Sequence, residues 1–168
     1  MYKHRLSKKE KHAILYFLIA ALFFFIALNI SNCFSTKVCG ASFVEMIVRK
    51  SVKITLPNGS LKAEVADTSE SREEGLSGRS GLRNSRGMLF VFDLPGRYGF
   101  WMKDMSFPID MVWINENGVV VNVVENAKPE DYPMTYINQA PASYVLEIEA
   151  NKAREYGIYL GSKIKIEK

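Results

Sequence analysis

Hydrophobic and polar positions follow two different patterns along the chain. Ala13 to Ile30, AILYFLIAALFFFIALNI, is eighteen residues without a charge, with Asn29 its only strongly polar side chain. A helix rising about 1.5 Å per residue would span about 27 Å here, close to the ~30 Å hydrocarbon core of a bilayer. The run has no polar face of the kind a buried globular helix presents. A transmembrane helix over 13–30 is therefore predicted.

Beyond residue 50 the period becomes two. Val52, Ile54 and Leu56 alternate with Lys53 and Thr55, and Leu61, Ala63 and Val65 with Lys62, Glu64 and Ala66. Such alternation predicts half-buried strands, and Pro57-Asn58-Gly59-Ser60 between them supplies hairpin chemistry. Asp67-Thr68-Ser69 offers N-cap oxygens, while Glu70, Glu73 and Glu74 favour a short helix that Gly75 and Gly78 limit. A Gly- and Arg-rich loop, Ser77 to Ser85, follows.

Met88 to Phe92 is apolar on both faces, as a centrally buried strand requires. Asp93-Leu94-Pro95-Gly96 is expected to turn the chain and Tyr98 to Lys103 to return it. Ile109 to Ile114, a hairpin at Asn115 to Gly118, and Val119 to Val124 come next. Glu125 to Ala142 reads as a long polar loop, often a binding element. Ser143 to Glu149 is a further strand, Asn151 to Tyr156 a helical turn, and Lys163 to Glu167 a closing strand. The expected fold is mainly β, a small barrel-like or sandwich domain of about seven or eight short strands with one or two short helices.

Charge refines the layout. The chain has 168 residues and a formal charge of +4, but Met1 to His12 alone carries five basic residues against Glu10. Removing these from totals of 22 basic and 18 acidic residues leaves 17 of each, so the remainder is neutral. That balance disfavours a nucleic-acid partner, which needs a basic face. The basic flank instead places the N-terminus in the cytoplasm. The layout is a cytoplasmic tail (1–12), an anchor (13–30), a linker (31–50) and an extracytoplasmic β domain (51–168). The run is longer than a secretory core segment, and small-residue cleavage sites lie well past its end, near Cys39-Gly40-Ala41. An uncleaved signal anchor in the cytoplasmic membrane is expected. Cleavage would leave a secreted or periplasmic form.

Both histidines (His4, His12) and both cysteines (Cys33, Cys39) precede the β domain. Histidine triads, thiol nucleophiles and the usual zinc sites are thereby excluded from it, and neither a metal nor another cofactor is expected.

The ordered motifs Arg72-x-x-Gly75-Leu76-x-x-Arg79, Gly87-Met88-Leu89-Phe90-Val91-Phe92, Phe100-Trp101-Met102-Lys103 and Pro108-Ile109-Asp110 resemble the DUF192 family, also called UPF0127. Pro141-Ala142-x-x-Val145-Leu146-Glu147, Gly157 and Gly161 extend the likeness, which covers about Val52 to Lys168. Asp104-Met105 stands where the family usually has Asn-Thr. The resemblance implies a mostly β, barrel-like domain common in exported prokaryotic proteins, with no established biochemical activity.

Candidate chemistry concentrates between Arg86 and Asn115, where Lys103, Asp104 and Asp110 sit among aromatic residues. Asp110 shares a strand face with Val112 and Ile114, and a carboxylate buried there needs a partner. Lys103, Arg72 and Arg79 are the cations in view. Two readings stay open, a fold-specifying ion pair and the polar centre of a pocket walled by Phe100, Trp101, Met88 and Tyr98. The ligand-binding candidates are Arg79, Met88, Trp101, Lys103 and Asp110. Glu147 shares a face with Val145 and Glu149 and is expected to be solvated. The expected function is a membrane-tethered extracytoplasmic module binding a small ligand or envelope component. The alternative is a carboxylate-dependent hydrolase of envelope material, for which Asp110 and Glu147 can be nominated.

Overall fold

The computed structural model describes residues 50–82 and 87–167, which form part of one compact unit, Arg49–Lys168. The expected cytoplasmic tail, transmembrane helix and most of the linker lie outside the described residues. Among those described, no helix is long and apolar enough to cross a membrane.

In chain order the elements are β1 (Ser51–Leu56), β2 (Gly59–Ala66), α1 (Ser69–Glu74), β3 (Gly87–Gly96), β4 (Gly99–Trp101), β5 (Ile109–Ile114) and β6 (Val120–Ala127). A 3-10 turn at Pro129–Asp131 leads to β7 (Thr135–Ile137), β8 (Ala142–Glu149), α2 (Lys152–Glu155) and β9 (Lys165–Glu167). Seven strands form one sheet in the order β6-β5-β8-β3-β2-β1-β9, and β4 pairs with β7 in a separate ribbon. The domain is mainly β, as expected, with nine strands and two short α-helices among the described residues.

Neither a closed barrel nor a sandwich forms. The ladder is open, with β6 and β9 at its ends, and a single bridge, Val119 to Lys163, links the segments beside them. Backbone bonds from Val120 N to Ser162 O (3.0 Å) and from Ile164 N to Gly118 O (2.8 Å) support that bridge.

A second expectation fails between Phe92 and Lys103. Instead of turning at Asp93 to Gly96, β3 runs on through those residues, and β4 leaves to join β7. The cause is long-range: β8 occupies one edge of β3 and β2, running parallel, the other. Both hydrogen-bonding edges of β3 are filled, so no hairpin partner can attach.

Alternation sorts the side chains of the sheet into two cores. Ile54, Leu61, Ala63, Leu89, Val112, Ile114, Leu146 and Ile148 point to one face, where Ala153 and Tyr156 join them. Ala66, Met88, Phe90, Ile109, Met111, Trp113 and Val145 point to the other, where Leu76 and Met102 pack against them. Because both faces are covered, every residue of β5 is buried, Asp110 included.

Candidate functional site

The second face is not completely filled. Leu76, Phe90, Phe92, Tyr98, Phe100, Trp101 and Met105 wall a cavity of about 350 Å³, with Arg72, Glu73, Glu74 and Glu147 contributing charge-bearing groups. An apolar enclosure with a few converging polar groups is the usual form of a small-molecule site.

One wall depends on α1. Thr68 caps it, its side chain accepting a hydrogen bond from Ser71 N at 3.1 Å. Arg72 then reaches back, donating from one nitrogen to Asp67 O (2.8 Å) and Val91 O (2.9 Å) while its guanidinium lies 5.3 Å from the Phe92 ring centroid. Gly75 ends the helix at φ +50°, and a Cβ there would come within 3.3 Å of the Phe90 ring. The glycine thus supplies both the left-handed backbone and the close approach of helix to aromatic wall.

The opposite wall is a set of interlocked rings. Phe92 and Tyr98 stack with centroids 3.5 Å apart, and Phe100 meets Phe90, Phe92 and Trp113 edge-on at 4.9, 6.4 and 5.9 Å. Tyr98 is fixed at three atoms and by its ring. Its hydroxyl donates to Leu94 O, its N–H donates to Asn138 Oδ1 (2.9 Å), and its carbonyl accepts from Trp113 Nε1 (3.0 Å). Its ring is held by Phe92. Asn138, fully buried, also donates to Gly96 O and Ala140 O. Trp101, by contrast, is 56% exposed at the mouth.

Glu147 belongs to the same lining. On β8 it stands opposite Met88 on one side and Met111 on the other, and it is 5% exposed. Its carboxyl has no hydrogen bond among the described residues. Burial pushes its pKa up to about 8, against a smaller downward pull from Arg79. At neutral pH it is therefore largely protonated, an O–H donor next to a cavity.

Glu147 was expected on a solvated face. The pairing of side chains was right, but the face is covered, by α1 and the β4–β7 ribbon, so Val145 is fully buried beside it. Solvent returns only at Glu149.

The five candidates from sequence are dispersed. Trp101 lines the cavity. Met88 lies in the row beneath it, buried between Glu147 and Glu64 on neighbouring strands. Arg79 forms a bidentate pair with Glu64, at 3.1 and 3.0 Å, so the anion it clamps is the chain's own. Lys103 is exposed beyond β4 and makes no ion pair among the described residues; its carbonyl accepts from Ser77 Oγ.

Asp110 is fully buried and has no ion pair among the described residues, unlike the fold-specifying pair that was one of its two readings. Its Oδ1 accepts from Asn126 N (2.8 Å) and Asn151 N (2.9 Å), and its Oδ2 from Ala153 N (2.8 Å). Asn126 and Asn151 are both left-handed, at φ +55° and +67°. Asn151 makes no capping bond of its own at the start of α2. Asp110 supplies that cap from β5 and pins a bulge in β6 at the same time. It points to the face opposite Glu147, being paired with Ile148 while Met111 is paired with Glu147. The two carboxyls cannot share a cleft, which removes the pair nominated for hydrolysis.

Leu76, Phe90, Phe92 and Asn138 were missed as site residues, and Glu147 was nominated only as half of a hydrolytic pair. A glutamate in a strand flanked by Leu146 and Ile148 was the available signal for the last. Phe100, Trp101 and Tyr98, expected with Met88 to wall a pocket around Asp110, line a cavity on the other face instead.

An open, mainly β domain with an aromatic cavity on one face is the class these features define. The DUF192 family model, described as Uncharacterized ACR, matches residues 52–166. The chain belongs to the DUF192 family. It is similar to a solved structure of a protein of unknown function from Novosphingobium aromaticivorans DSM 12444, at 30% identity and TM-score 0.62, over 70% of this chain and 84% of that one. A structure from Sinorhizobium meliloti 1021, described as a candidate transcription regulator, is similar at 29% identity and TM-score 0.63, over 71% and 94%. No curated protein matches the chain.

Proposed function

We propose that the protein is a membrane-tethered extracytoplasmic binding module and that its small ligand sits in the aromatic cavity above Glu147. The observation that carries this reading is Glu147 itself. A carboxyl that is 5% exposed and has no hydrogen bond among the described residues destabilises a fold unless something is gained elsewhere, and here it opens on a cavity of about 350 Å³. The rigid setting of Tyr98, Phe92 and Phe100 favours preorganised recognition. The tether rests on the uncharged run 13–30 and its basic flank, and makes the cytoplasmic membrane the location. The regulator description belongs to the S. meliloti protein. The charge balance of this chain beyond residue 12 favours a small ligand over nucleic acid.

A second reading, hydrolysis of envelope material, has one observation in its favour. A carboxyl titrating at about 8 is suited to act as a general acid at neutral pH, and Glu73 and Glu74 line the same cavity.

The test is incubation of the full-length protein with small envelope fragments, followed by ligand-detected NMR and chromatography. A binding module returns its fragments unchanged, and binding is lost in Glu147→Leu and weakened at least about tenfold in Phe100→Ala, a half-buried wall ring of the kind that dominates recognition. Chemical conversion of a fragment would establish the hydrolase reading. Binding that survives Glu147→Leu would remove the cavity from the account.

A further inference from the structure

The lining of the cavity carries more information than its volume. Aromatic side chains make up much of it, and among its described residues Glu147 is the buried acid and Arg72 the basic residue. Arg72 does not neutralise Glu147. Its guanidinium is committed to two backbone carbonyls and to the Phe92 ring. Arg79 lies nearer in electrostatic effect but is bound bidentately to Glu64. A nine-tenths-buried carboxyl thus faces aromatic rings without a hydrogen bond among the described residues.

Aromatic faces attract cations through their quadrupoles, most strongly where water is excluded. The position of Arg72 over Phe92 shows one such contact already present in the wall. An anionic ligand would bring its charge against the Glu147 carboxyl. A neutral apolar ligand would exclude water from that carboxyl without supplying a hydrogen bond in its place. A cation satisfies both the rings and the carboxylate.

We propose that the cavity selects a small organic cation, an alkylammonium or quaternary ammonium group, with Glu147 as its counter-charge and the rings of Phe100 and Trp101 beside it. This rests on the cavity being the ligand site. Glu147 holds a proton in the empty site, so the cation displaces it: the carboxyl O–H gives its proton to water and the carboxylate remains paired with the ligand. One proton is released per cation bound. Affinity therefore rises with pH, about tenfold per unit below the titration of Glu147, and levels off above it.

The experiment uses the full-length protein, with Trp101 fluorescence and NMR as readouts, and three probes of one shape. Choline is the cation, 3,3-dimethylbutanol its neutral isostere, and 3,3-dimethylbutanoate the anion; none of the three titrates between pH 6 and 8. The expected result is choline binding that strengthens about fiftyfold from pH 6 to pH 8 and becomes pH-independent in Glu147→Gln. Aromatic signals of the cavity should shift, and the alcohol should bind at least about tenfold more weakly at pH 8. Binding of the alcohol or the anion at this cavity equal to or tighter than choline, or choline binding flat with pH, overturns the cation and leaves the cavity as a ligand site. Failure of all three probes to perturb the cavity, at concentrations where each is soluble, overturns the cation as well, while fragments that bind in the envelope screen would keep the site.

Discussion

Asp110→Ala is expected to lower the unfolding free energy by about 4 kcal/mol or more. It strands three backbone N–H donors, the one on Ala153 buried and those on Asn126 and Asn151 part-buried, at ~1–3 kcal/mol each. Those donors, on Asn126, Asn151 and Ala153, hold the bulge of β6 and the first turn of α2. A domain of this size has only ~5–15 kcal/mol of stability, so the melting temperature should fall by well over ten degrees or folding should fail. Asp110→Asn should cost about half as much, because its amide turns a donor toward one of the three N–H groups. Lys103→Ala should be nearly silent and additive with Asp110→Asn, since the two side chains do not meet. Denaturant unfolding of these variants separates the amide cage from an ion pair. Strong coupling between Asp110 and Lys103 would restore the pair.

Glu147→Gln is expected to do the reverse and stabilise the domain, increasingly as the pH rises. Glu147 titrates at about 8 in the folded chain against an ordinary value of 4.5. Between those values the folded protein holds a proton that the unfolded chain has lost. Stability from this group is thus fully present below about 4.5 and declines by about 1.4 kcal/mol per pH unit until the folded group has titrated. Glutamine keeps the shape of the protonated acid and has no such slope. Urea unfolding at pH 5, 6, 7 and 8 should show the variant close to wild type at pH 5 and more stable by on the order of 4 kcal/mol at pH 8. Parallel curves for the two proteins would mean that Glu147 is solvated or paired. A stabilising substitution that removes the pH dependence of binding is the pattern expected of a functional group rather than a structural one.

The contrast between these two carboxyls bears on what local sequence can carry. The alternation of Val52 to Leu56, Leu61 to Val65 and Ile109 to Ile114 identified strands and sorted their faces, because period two is a property of neighbouring residues. Met88 to Phe92 was legible as a central strand for the same reason. Asp110 was correctly turned toward an apolar face, but its partners are backbone amides, which every residue except proline possesses and no sequence displays. Two asparagines able to adopt left-handed backbone were the indirect trace.

Glu147 was misplaced because its exposure is decided elsewhere. Its own strand reads as acidic on that side, with Glu149 two residues on. What covers it is α1, some seventy residues earlier in the chain, and a ribbon made of Gly99–Trp101 and Thr135–Ile137. The same long-range pairing inserted β8 between β3 and β5 and removed the hairpin expected after Phe92. Local pattern carried the strands, while strand order and the cavity arose from contacts between remote segments.

The central claim is that Glu147 sits protonated at an aromatic cavity, without a hydrogen bond to the other described residues. Its side-chain carboxyl carbon reports that state directly. In full-length protein labelled with 13C at the glutamate carboxyl carbons, the Glu147 signal is assigned by its loss in Glu147→Gln and followed from pH 4 to pH 10. The account predicts a midpoint of about 8. A midpoint near the ordinary 4.5 would show a carboxylate already solvated or bonded within the fold, and would contradict it.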